Sequence, residues 1–99
     1  MKLTNKTTNG ISFHGSTVKT TPRNLIEKVG KPQYDGNDGQ DKVNFVWDCE
    51  NSLGNIFTIY DWKEYRVLNL DESIEFHIGG HSKKDTELVK QELEKILND

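Results

Sequence analysis

"VNFVWDCENSLGNIFTIYDW", residues Val43 to Trp62, decides the architecture. Val43, Phe45, Trp47 and Cys49 alternate with Asn44, Val46 and Asp48. After a polar interval, Ile56, Thr58, Tyr60 and Trp62 alternate with Phe57, Ile59 and Asp61. A period of two sends successive side chains to opposite faces of a strand. The interval ENSLGN has the polar residues and glycine of a turn, so the two strands join as an antiparallel hairpin.

The pattern extends outward from this hairpin. Downstream, Ile74, Phe76 and Ile78 form one face of a third strand, with Ser73, Glu75 and His77 on the other, so the sheet has a covered face and a wetter one. Leu88, Val89, Leu93, Ile96 and Leu97 then recur at helical spacing opposite Lys90, Gln91, Glu94 and Lys95, and Ser82 with Asp85 three residues on resembles a capping box. Upstream, Ile11-Ser12-Phe13 reads as a short strand ended by His14-Gly15. A short helix follows: Thr21 caps it, Pro22 fits its first position, Leu25, Ile26 and Val29 share a face, and Gly30 and Pro32 stop it. Residues 1–9 read as a flexible polar segment, and "QYDGNDGQDK" as a loop. The expected fold is therefore α+β, a single domain over residues 1–99 with a small antiparallel sheet, the order β-α-β-β-β-α and both helices packed on one face.

Composition narrows the function classes. The 99 residues carry a formal charge of −3, and the only adjacent basic pair near the opening of a helix is Lys83–Lys84, so duplex nucleic acid is not an expected partner. A single cysteine, Cys49, rules out an intrachain disulfide and suits a reducing compartment. The opening MKLTNKTTNG has no apolar core of a signal peptide, and no apolar run approaches the ~20 residues that span a bilayer, so a cytoplasmic protein with no membrane partner is expected.

Two stretches invite an anion. In "FHIGGHSKKDT", Gly79 and Gly80 allow a left-handed or close-approach backbone. Ser82 opens a helix whose N–H groups carry partial positive charge, and Lys83 or Lys84 is placed to close over a phosphate. "FHGST" repeats the chemistry with His14, Ser16 and Thr17. If the two corners converge, these three residues meet His77, His81 and Ser82 around one phosphate, while Trp62 or Tyr65 offers a stacking surface. The competing reading is a plain strand-to-helix corner with a serine cap and solvated lysines. "YDWKEYR" adds Tyr65 and Arg66 as contact residues, whereas Tyr60 and Trp62 read equally as packing beneath a helix.

Other chemistries find less support. His77 and His81 have a four-residue spacing, but it brings imidazoles together on a helix rather than across a strand and a Gly-Gly turn, so no metal is expected. Cys49 alternates with Trp47 and Phe45 and should face the core, where a thiol is unreactive; neither catalysis nor a cofactor is expected.

The run "TPRNLIEKVGKPQY" and the later "GNIFTIYDW" resemble the local pattern of small outer-membrane-assembly lipoprotein and β-lactamase-inhibitor-protein-like domains, in which a helix ends in a Gly-x-Pro turn and feeds an antiparallel sheet. The lipoprotein signal and lipidated cysteine are missing, so the envelope role does not carry over. Through "FHGSTVKTTP", "VNFVW", "IYDWKEYR" and "FHIGGHSK" the chain as a whole resembles short tailed-phage proteins of unassigned function. That resemblance implies a phage context, in which small non-enzymatic proteins often block host defence. The leading expectation is a protein that sequesters a phosphate-containing small molecule, such as a nucleotide immune signal, with sites completed across a homo-oligomer. The alternative is a protein-binding inhibitor of a host defence enzyme or nuclease, using an aromatic patch or the carboxylates Asp35, Asp38, Asp41, Asp48, Glu50, Asp61, Glu64, Asp71 and Glu72 as a phosphate mimic.

Overall fold

A computed structural model describes Met1–Asp99. In chain order its elements are β1 (Lys2–Leu3), β2 (Ser12–Thr20), α1 (Pro22–Lys28), β3 (Tyr34–Asp35), β4 (Phe45–Glu50), β5 (Ile56–Tyr60), β6 (Ile74–Gly80) and α2 (Lys83–Leu97). The hairpin is present: β4 and β5 pair antiparallel with Trp47 opposite Ile59 and Cys49 opposite Phe57. β6 adds to β5 and β2 adds to β6, both antiparallel, giving the sheet order β1-β4-β5-β6-β2 with β3 also on β4. The α+β class, with an antiparallel sheet and two helices, is as expected.

The alternation resolves into two chemically different faces. Phe45, Trp47, Cys49, Phe57, Ile59, Ile74, Phe76 and Ile78 all point inward and are buried. Val89, Leu93 and Leu97 of α2 and Leu25 of α1 close the same core. The largest buried group, Trp47, places its indole N–H 2.7 Å from the Gly30 carbonyl, so the core also ties down the end of α1. Leu88, expected on the apolar stripe, is instead exposed on the outer side of α2. Both caps form: Thr21 accepts from Asn24 N–H at 3.0 Å and Ser82 from Asp85 N–H at 3.1 Å. No helix is long and apolar enough to cross a membrane.

Three strand features depart from the sequence reading. β2 does not stop at His14-Gly15 but runs nine residues, because Gly15, at φ +98°, absorbs a bulge between Phe13 and Thr17. β1 and β3 share one edge of β4, one on Glu50 and Cys49, the other on Val46 and Phe45. The gap between them is filled by a side chain. Gln33 accepts from Asp48 N–H at 2.9 Å and donates to Asp48 and Thr4 carbonyls at 2.8 and 3.3 Å, replacing the backbone amide a strand would supply.

Gly79 and Gly80 lie inside β6, where close packing explains them. A Cβ at Gly79 would meet Thr58 Oγ1 at 2.5 Å, and one at Gly80 would meet Thr86 Cγ2 at 2.6 Å. α2 can therefore approach the end of β6 only over a residue with no side chain. Gly80→Ala should destabilise by roughly 1–3 kcal/mol through overpacking. Adding Thr86→Ser, which removes the obstructing methyl group, should recover much of that loss in a urea titration; no recovery would refute this account of Gly80.

Candidate functional site

The anion site read from the sequence is divided by the fold. Ser16 is buried on the inner face and donates to Thr86 Oγ1 at 3.2 Å. Thr17 sits on the opposite face, paired with His77. The His14 ring nitrogen Nε2 lies 3.0 Å from the Gly80 carbonyl oxygen, to which it must donate, and 3.3 Å from Ser12 Oγ. The two stretches thus do meet, but as paired strands whose polar groups bond to each other. Ser82 is occupied in capping, His81 is exposed with its ring near Gly10, and Lys83 and Lys84 are exposed at the start of α2. Arg66 is also taken: its two terminal nitrogens hold Glu72 at 2.6 and 2.8 Å, which raises the guanidinium pKa and holds the Glu72 carboxyl below its ordinary range. Tyr65 is 53% exposed.

A different surface gathers the aromatic groups. Tyr60 and Trp62 do not lie beneath a helix; they stand on the sheet face that neither helix covers. The register places Tyr34, Val46, Tyr60, His77 and Thr17 in one row across that face. Phe13 stacks on His77 with ring centroids 4.1 Å apart and planes 17° from parallel. Tyr60 lies 5.5 Å from His77, and Trp62 lies 6.1 Å from Tyr60 and 6.3 Å from His77. Phe13 and Trp62 nevertheless remain 42% and 41% exposed. Next to this surface is a hollow of about 250 Å³ lined by Thr8, Ile11, Ser12, Thr58, Tyr60 and Gly79, four of which carry hydroxyls. Two larger grooves, one between β2 and the end of α2 and one beside Leu53 and Leu88, contain no aromatic residue.

The loops around Trp62 are fixed by a buried carboxylate. Asp61 is fully buried, so it cannot belong to an acidic outer face, and it accepts from the backbone N–H groups of Asn44 and Phe45 at 2.8 and 2.9 Å and from Asn44 Nδ2 at 3.0 Å. Asn44 Nδ2 also donates to the Arg66 carbonyl, and Asn44 Oδ1 accepts from Gly39 N–H. The Lys63 N–H then donates to the Lys42 carbonyl at 2.7 Å. This brings the ammonium groups of Lys42 and Lys63 to 5.9 and 5.6 Å from the Trp62 ring centroid. Lys63 and Tyr65 adopt left-handed backbone at φ 57° and 51°, a conformation that costs a non-glycine residue about 1–2 kcal/mol.

Comparison of the chain with protein-family models, with curated proteins and with solved structures finds no match.

Two predictions follow from this geometry. Asp61→Ala would leave three donors without their acceptor, costing roughly 3 kcal/mol or more, and should move the Trp62 indole resonance toward its unfolded position; an unmoved resonance would disprove the anchoring role. Burial pushes the His77 pKa below its ordinary 6.5, with Glu75 opposing. The unfolded chain then takes up the proton first, so stability holds above about pH 6.5, falls as pH drops toward the lowered folded value, and levels off below it. His77→Phe, which keeps the stack, should flatten that part of a pH series of melting temperatures.

Proposed function

We propose that the chain is a non-enzymatic protein that binds a phosphate-containing nucleotide on the open face of its sheet and withholds it from other proteins. One observation carries the reading: Phe13, His77, Tyr60 and Trp62 form a continuous aromatic surface on the face that no helix covers. A base has two π-faces, and stacking on an exposed aromatic side chain contributes about 1–3 kcal/mol per base. The adjoining hydroxyl-lined hollow suits the polar edge of a base or a ribose. Binding without catalysis is favoured because the cysteine thiol is on the inner face, where burial drives its pKa up to about 12. In the phage context that the sequence resemblance implies, the withheld nucleotide is an immune signal and its natural reader a host effector.

The contacts lie on the sheet face and not at the Gly79–Lys84 corner, where Ser82 caps α2 and the glycines are closely packed. Calorimetric titration with linear, cyclic and NAD-derived nucleotides should find at least one binder. Trp62→Ala should weaken it by roughly tenfold, the loss of about 1.4 kcal/mol of stacking, without shifting the melting temperature. If no nucleotide binds, or if the Trp62 variant binds as well as the parent, the reading fails. A host protein retained through the same aromatic surface would then indicate the inhibitor alternative.

A further inference from the structure

Resting on the nucleotide reading above, the charge distribution narrows the ligand class. We propose that the open face takes a small nucleotide whose phosphate lies between Lys42 and Lys63 beside Trp62, and that it does not take a nucleic-acid strand. The two ammonium groups come from different loops yet converge on one indole, at 5.9 and 5.6 Å. Neither has a carboxylate within ion-pair distance, whereas Lys2 and Lys6 reach Glu50, and Arg23 and Arg66 reach Asp71 and Glu72. Like charges gathered around one ring repel each other, and an anion between them converts that repulsion into two attractions. The left-handed backbone of Lys63 belongs to the turn that carries this side chain to the ring.

The rest of the open face supplies no continuation for a charged backbone. Lys19 stands opposite Glu75 in the β2–β6 pairing, and Lys2 is both paired in register with Glu50 and salt-bridged to it. Asp48, on the same face opposite Thr58, adds negative charge near the hollow. The cationic groups without an ion pair that this face brings together are Lys42 and Lys63, with Lys19 standing alone on β2, and two ammonium groups suit one compact phosphate group and not a row of them. Thr58, Tyr60 and Trp62 follow one another along this face, so a ligand anchored by phosphate at Trp62 lays its sugar and base toward Tyr60 and the hydroxyls of the hollow.

The test is calorimetry on the full chain with the four nucleoside monophosphates, their cyclic forms, the parent nucleosides, inorganic phosphate and a single-stranded oligothymidylate. The best nucleotide should bind roughly tenfold or more tighter than its nucleoside, and the double variant Lys42→Gln, Lys63→Gln should erase that difference while leaving the melting temperature intact. If nucleotide and nucleoside bind equally, or the double variant binds the nucleotide like the parent, the lysine site is wrong although the aromatic face stands. Tighter binding of the oligonucleotide, with steep salt dependence, would overturn the small-ligand assignment. Binding by none of the probes would overturn both this inference and the reading on which it rests.

Discussion

The buried Asp61 carboxylate is the constraint on which the loops beside the aromatic face depend. It lies just past the end of β5 and receives N–H groups from Asn44 and Phe45, where β4 begins, so it clamps the open end of the hairpin. A charge taken out of water is tolerated only when several donors converge on it. Here they do, and every buried side-chain polar atom in the chain has a partner. Two loops with little apolar content of their own are held as one unit through this group, and Trp62 follows it directly in the chain.

The parts of the fold legible in the sequence were those written as periodicity. The alternations through β4, β5 and β6 and the helical stripe of α2 each repeat often enough to specify type and face. In β2, Gly15 looks like a terminator in the sequence, although a glycine at positive φ can equally be a bulge that lets a strand continue. β1 and β3, at two residues each, are too short to carry a period at all. Their pairing is decided by what β4 needs along its edge.

The site was less legible, for a related reason. Alternation shows that Tyr60 and Trp62 share a face with Ile56, but not which face the helices will cover; that was settled by Phe57 and Ile59 joining the core. His77 stands on a strand face and Tyr65 is exposed, while Ser16 and Arg66 are committed to Thr86 and Glu72, pairings that spacing along the chain does not reveal. Lys42 and Lys63 had no signal of their own. They are twenty-one positions apart, and only the bonds of Asp61 and the Lys63 N–H to Lys42 carbonyl contact make them neighbours.

The side chain of Gln33 has a consequence for how copies of this chain can meet. By bridging β1 and β3 it completes the outer border of β4, so that side of the sheet ends in two strands of two residues each instead of the full length of β4. The opposite border, β2, is bent at its bulge and carries Lys19, features that discourage ribbon-like growth. Self-assembly by continuous strand addition is thereby opposed at one border by the shortness of the edge strands and at the other by shape and charge. The length over which the backbone of a second copy could add to this sheet is thus limited at both borders.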